Sequence, residues 1–461
     1  MRAHEAGALH GELGSTGPAW LRTPEDVNVI LPQLWPTSVA RAADGALAIG
    51  GVSVRALAEE FGTPAYVLDE NDMRARCRDF VSAFAGCDVY YAGKAFLCRA
   101  VVRIIAEEGL HLDVCTGGEL ATALSAGMPA ERIGFHGNNK SVSELTRAVE
   151  AGVGRIIVDS LHEIERLTEI ARSRDVRPAV LLRVTVGVEA HTHEFIATAH
   201  EDQKFGFSLA GGAAFAAATK IIDEGVLDLR GLHSHIGSQI FDTSGFEVSA
   251  RRVLSLQAQI RDARGVELPE LDLGGGFGIA YTTQDDPAAP SDLAKRLDKI
   301  VADECEALRL ELPRLSIEPG RAIVGPAVFT LYEVGTVKDV DGIRTYVSVD
   351  GGMSDNIRAA LYGATYSATV ASRASAAPPI LARVVGKHCE SGDVVVKDEF
   401  LPADVQPGDL LAVPGTGAYC RSMASNYNHV PRPPVVAVRD GQARVIVRRE
   451  TEDDLLALDV G

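Results

Sequence analysis

Lys94 lies in the stretch YYAGKAF (90–96), a single lysine among aromatic and small residues, directly after the run CDVYYAG, which reads as a buried strand. Lysine is seldom fully buried unless it is paired or used. Two chemistries fit it. Its ammonium can snorkel to the rim of an apolar surface. Alternatively, desolvation lowers its pKa and leaves an amine nucleophile able to form a Schiff base. The lysine alone does not choose between them.

Other polar residues share its position, within or just after short apolar runs: Asp113, His136, Asn138, Arg183, His233, His235, the run Gly274, Gly275 and Gly276, and Glu318. Three glycines in DLGGGFG leave backbone N–H groups free to approach an anion closely. The run is not a GxGxxG fingerprint and comes late in the chain, which argues against a dinucleotide site. In LHSHIG, alternation predicts that His233 and His235 face one side of a strand. A metal reading would add His191, His193 and Glu194 from HTHEF, but two H-x-H pairs without a carboxylate-rich partner set are a poor zinc template, and no metal is expected. A histidine ring stacked on a flat cofactor suits the pattern better. Glu318, ending the apolar run LSIE, needs a proton or a cation if buried, and a protonated pyridine nitrogen would serve. An amine, a phosphate cradle, a stacking ring and a buried carboxylate together describe a site for pyridoxal 5′-phosphate (PLP), whose electronics the protein tunes through the group facing the ring nitrogen.

These residues must be positioned by regular elements. Strand patterns recur at 89–93, 110–114, 132–137, 155–160, 179–187, 229–237, 268–276 and 314–321, separated by helix-patterned segments such as VSELTRAVEAG and HEIERLTEIARS. Alternating strands and helices imply a parallel sheet with helical crossovers. About eight such units in roughly 250 residues is the count of a (β/α)₈ barrel, whose active site lies at the C-terminal strand ends, with phosphate often held after strands 7 and 8. Beyond about residue 330 the pattern turns to strands and turns, RDGQ reading as a hairpin, with one short helix over SDNIRAALYGA. The expected organisation is a loose arm over 1–25, a segment 26–62 contributing to a β domain, the barrel over 63–327 and an all-β domain over 328–461.

Net charge is −18, which repels nucleic acid and anionic membranes. The seven cysteines form no CxxC pair, as suits free thiols in a reducing cytoplasm. No apolar run approaches the ~20 residues of a membrane helix, and the N-terminus lacks a signal-peptide pattern.

In YYAGKAF, DVCTGGEL, GLHSHIGSQ, DLGGGFG, EPGR, GKHCESGD and GAY the chain resembles the PLP-dependent decarboxylases of the alanine-racemase fold. More closely, with HGNNKS and VDGGMSDNIRAALYGA, it is similar to the actinobacterial type of diaminopimelate decarboxylases. The resemblance runs from about residue 25 to the C-terminus.

It implies that Lys94 holds PLP as a Schiff base, that His235 stacks on the ring and that Glu318 keeps the ring nitrogen protonated, where racemases of this fold place an arginine. Ser238, Gly275, Gly276, Gly320, Arg321 and Tyr419 would hold the phosphate, with Asp113 and Arg183 in the cofactor's polar shell. The substrate's distal carboxylate wants a bidentate arginine; Arg321 and Arg358 match, with Tyr362 and Tyr419 nearby, and Glu390 matches the distal ammonium. Cys389 would donate a proton, although a lone cysteine is also an ordinary small hydrophobe. The implied reaction is decarboxylation of meso-diaminopimelate to L-lysine and CO₂, in a homodimer whose sites are shared across the interface. Two alternatives stay open: an ornithine/arginine-type decarboxylase or racemase, whose decarboxylase members carry CDG where this chain has CES, and a non-catalytic PLP-binding regulator.

Overall fold

Runs such as RIIV and AVLLRVT are apolar at nearly every position, the mark of strands covered on both faces. In the computed structural model, which describes residues 17–187, 203–341 and 343–461, they form a closed barrel of eight parallel strands: Asp88–Ala92, His111–Val114, Ile133–Phe135, Arg155–Val158, Ala179–Thr185, Asp228–His233, Glu270–Asp272 and Arg314–Ile317. Each pairs with the next, and the eighth returns to the first through Ser316 opposite Asp88 and Ile317 opposite Val89. A helix follows every strand. Three of these helices begin with the same signal, S/T-x-x-E. Thr116, Ser141 and Ser160 cap them by accepting the backbone N–H of Glu119, Glu144 and Glu163. The three glutamates in turn accept the N–H of Cys115, Ser141 and Asp159, so the capping chemistry also fixes the strand-end loops.

The described chain divides into two units, one made of Arg74–Gly278 with Pro287–Ile323, which holds the barrel, and the other of the described part of Met1–Met73 with Ile279–Asp286 and Val324–Gly461. The second unit is built on a sheet in the order Val394–Pro402, Pro379–Val385, Arg344–Val349, Val328–Val340, Ala65–Asp69, Val435–Arg439 and Gln442–Val447, with Leu410–Pro414 also on Val328–Val340. Its core gathers Trp35, Leu47, Ile49, Val67, Phe329, Leu331 and Val436. The RDGQ hairpin turns on Asp440 and Gly441, at φ 51° and 77°, the left-handed pair that a two-residue type I′ loop requires. The short helix expected in SDNIRAALYGA spans Arg358–Tyr362.

Two expectations are corrected. Strand Ala65–Asp69, expected within a barrel beginning at 63, pairs antiparallel with Val328–Val340 and parallel with Val435–Arg439. All five of its residues are buried, a pattern that does not say which sheet covers it. Residues 279–286, expected inside the barrel span, likewise belong to the second unit. Of the expected arm over 1–25, residues 1–16 lie outside the described residues, as do His191, His193 and Glu194. Among the described residues no helix is long and apolar enough to cross a membrane.

Candidate active site

Lys94 stands two residues beyond the first barrel strand, its side chain 39 % exposed, with Nζ 3.4 Å from Oδ2 of the fully buried Asp113. The Gly93 N–H donates to the Asp113 carbonyl at 2.9 Å, so the turn that presents the lysine is bolted to the next strand.

Glu318, directly after the eighth strand, is 3 % exposed. His136 Nε2, one residue past the third strand, lies 3.0 Å from its Oε1, and His233 Nε2, at the end of the sixth, lies 3.2 Å from the same oxygen. Burial alone would raise the Glu318 carboxyl; the facing imidazoles, His136 first, outweigh it and hold the group well below the usual carboxylate range. Burial pushes His233 down to about 4, so it is a neutral ring. Asp272, ending the seventh strand, is raised well above its ordinary value by burial and then by the charge of Glu318. Two acids close together in a dry site do not both ionise, and here the charge rests on Glu318.

The sixth strand stops at His233, so His235, expected on the strand, lies in the loop beyond it. The Gly275 N–H donates to His235 Nδ1 at 3.1 Å, which leaves the ring proton on Nε2. Burial, then the Lys94 charge, pushes this imidazole well below its ordinary value, giving a neutral aromatic face. The glycine run is required by space. A Cβ at Gly275 would lie 2.2 Å from the Glu318 carbonyl oxygen, and one at Gly276, whose φ is 106°, 2.4 Å from that of Gly237. At Gly320 a Cβ would meet the Ala92 methyl at 2.8 Å. Arg321 Nη2 donates to Ser238 Oγ at 2.9 Å, which brings these two residues together beside the loop. Arg183 is buried in the fifth strand, 3.8 Å from Asp159 and 4.4 Å over the Phe205 ring.

The remaining expected residues lie in the second unit. Arg358 is 5 % exposed. Its Nη1 donates to the Tyr366 hydroxyl, its guanidinium lies 4.8 Å from the Tyr281 ring centre, and no carboxylate of the described residues pairs with it. Tyr362 ends the same helix. Cys389 is exposed, and its N–H donates to Asn428 Oδ1 at 3.1 Å. Glu390 Oε1 accepts the Gly392 N–H at 3.2 Å. Tyr419 adopts a left-handed φ of 63°.

Sequence reading placed His136 at a strand end without a partner and paired His233 with His235 rather than with Glu318. It did not single out Asp272, an acid within the run LPELDLGGG, nor Tyr281 and Tyr366, whose signals are those of ordinary core residues.

The barrel site fits PLP on its own chemistry. Glu318 Oε2 has no protein partner among the described residues although the carboxylate is buried, the glycine backbone admits no side chain, and an amine stands beside a buried acid. The model of the pyridoxal-dependent decarboxylases, pyridoxal binding domain, matches residues 70–325. The diaminopimelate decarboxylase of Mycobacterium bovis is 58 % identical over 94 % of this chain and 98 % of its own length. That of Mycobacterium leprae is 54 % identical over the whole of both. The crystal structure of diaminopimelate decarboxylase from M. jannaschii in co-complex with L-lysine superposes with a TM-score of 0.87 at 32 % identity, covering 93 % of this chain and 99 % of that one. The chain therefore belongs to the diaminopimelate decarboxylase family of PLP-dependent enzymes.

Proposed function

We propose that the chain decarboxylates meso-diaminopimelate to L-lysine and CO₂, the closing step of lysine biosynthesis, with Lys94 as the covalent anchor of PLP. The bound cofactor supplies an electron sink for the pair left when CO₂ departs. The protein's own groups do the rest. Glu318, ionised, offers Oε2 to the ring nitrogen and keeps it protonated. His235 presents a neutral ring to the cofactor's face. Ser238, Gly275, Gly276, Gly320, Arg321 and Tyr419 receive the phosphate, the glycines through backbone N–H groups. Asp113 holds the Lys94 amine in place, and Arg183 completes the polar shell. The Cys389 thiol delivers a proton to the substrate's α-carbon.

The substrate reading is carried by Arg358. A buried guanidinium without a carboxylate partner is costly unless a ligand brings the counter-charge, and the distal carboxylate of diaminopimelate is such a charge. Arg321 and Tyr362 assist there, and Glu390 takes the distal ammonium. Ornithine and arginine lack this carboxylate. We further propose a cytoplasmic homodimer in which Cys389 and Glu390 serve the neighbouring protomer's site; the exposure of Cys389 and the seven free thiols support this.

Purified holoenzyme incubated with meso-diaminopimelate, ornithine or arginine, with CO₂ measured, tests the reading. Release from diaminopimelate alone is expected; release only from the other two overturns it, and PLP absorbance without turnover on any of them points to a regulator.

A further inference from the structure

Glu318 is gripped on one side only. His233 Nε2 is hydrogen-bonded to Oε1 at 3.2 Å and His136 Nε2 lies 3.0 Å from the same oxygen as an ion-pair contact, while Oε2 has no protein partner among the described residues. The two imidazoles are set edge to face, ring centres 5.0 Å apart at 69°. His233 Nδ1 meets no hydrogen-bond partner. That is consistent with a neutral ring whose single proton is on Nε2, given to Glu318. His136 has a second duty: the same Nε2 lies 3.5 Å from Asp113 Oδ1, and Asp113 Oδ2 lies 3.4 Å from Lys94 Nζ. A continuous polar path thus runs Lys94–Asp113–His136–Glu318 across the first, second, third and eighth strand ends.

We propose that His136 is a positioning residue that fixes Glu318 through Oε1, leaves Oε2 for the ring nitrogen of PLP, and links that acid to the Asp113–Lys94 pair. This rests on the reading that Glu318 faces the ring nitrogen. The physical consequence is a proton balance between two atoms. An N–H donated to Oε1 stabilises the carboxylate and lowers its basicity, so the shared proton stays on the ring nitrogen. Without the donor the carboxylate becomes more basic, the proton moves from the ring nitrogen to Oε2, and the electron sink weakens. Because the donor is shared, the charge at Lys94 and the proton at the ring nitrogen are not independent.

The experiment uses holoenzyme loaded with PLP carrying ¹⁵N at the ring position, whose chemical shift reports protonation directly. The unaltered enzyme is expected to show a protonated nitrogen. In His136→Phe the signal moves toward the neutral value, PLP dissociates faster, and kcat falls by about tenfold to a hundredfold, the range for a hydrogen bond to a charged group, with KM little changed. His136→Gln, which still reaches Oε1 with an N–H, keeps the nitrogen protonated. An unmoved signal in His136→Phe overturns the proposal, as does a His136→Gln signal as far displaced as that of His136→Phe, since that would make shape rather than donation the cause. Should the Phe variant fail to fold, His136→Gln against the shorter His136→Asn decides: only Gln retaining protonation supports the proposal, and equal signals overturn it. Glu318→Gln separates the two levels. If it leaves the ring signal unmoved, the reading of Glu318 itself fails. If it moves the signal and His136→Phe does not, only the role of His136 fails.

Discussion

Lys140 Nζ lies 2.6 Å from Glu163 Oε1, and the two side chains are 1 % and 4 % exposed. The ammonium also donates to the carbonyls of Gly137 and Ile157, at 2.6 and 2.9 Å. The glutamate's other oxygen accepts the Asp159 N–H at 2.9 Å. One buried ion pair therefore joins the loop after the third strand, which carries His136, to the end of the fourth. Removing one partner strands the other's charge, a loss of about 3–5 kcal/mol. Lys140→Met is expected to show a loss of that size in urea denaturation, and a change under about 1 kcal/mol would contradict the account of the pair.

Arg358 is expected to act on substrate and not on cofactor. Arg358→Lys keeps a positive charge but loses the fork that grips a carboxylate in two places. KM for diaminopimelate should rise by about tenfold to a hundredfold, while PLP content per chain is unchanged. A variant that loses PLP but keeps its KM would reverse the assignment.

Gly275→Ala tests the glycine cradle. Its methyl would fall 2.2 Å from the Glu318 carbonyl and 3.5 Å from the Glu318 Cβ, so the loop or the acid must shift. Poorer PLP retention and a stability loss of about 1–3 kcal/mol, as for overpacking elsewhere, are expected. Equilibrium dialysis and thermal melting measure the two.

These residues show what was legible in the chain and what was not. The eight barrel strands announce themselves because strands covered on both faces must be apolar throughout, and the capped helices because S/T-x-x-E has a local meaning. Lys94, Glu318 and the glycine run stand out as residue types that a core does not ordinarily tolerate at such positions. The grip of His136 on Glu318 had no signal of that kind: the two are far apart in sequence and meet only when the barrel closes. Tyr281 and Tyr366 were hidden for the same reason, since an aromatic residue beside a buried arginine reads as ordinary core until Arg358 is seen without a carboxylate. The barrel's expected lower bound of 63 takes in strand Ala65–Asp69, because a five-residue run buried throughout does not tell which sheet it joins.

Asp355 provides a pH test in the second unit. It is buried, accepts the Tyr332 hydroxyl and, at 2.7 Å, the Gly352 N–H, and burial raises its carboxyl from 3.8 to about 7. The folded chain keeps a proton that the unfolded chain releases. The contribution is therefore complete below about pH 4, declines as pH rises to about 7, and is absent above that. Asp355→Asn is always neutral and escapes this decline. Between about pH 5 and about pH 8 the stability of the variant relative to the unaltered chain should improve by about 3 kcal/mol in urea denaturation. A constant difference would mean that Asp355 is ionised at both.

The central claim is that Lys94 holds the cofactor covalently. Borohydride reduction of the holoenzyme, followed by peptide mass mapping, reads this directly. A pyridoxyl group is predicted on the peptide containing YYAGKAF, on Lys94 and on no other lysine. Modification of a different lysine, or a reduced enzyme from which the cofactor can still be dialysed away, would contradict it.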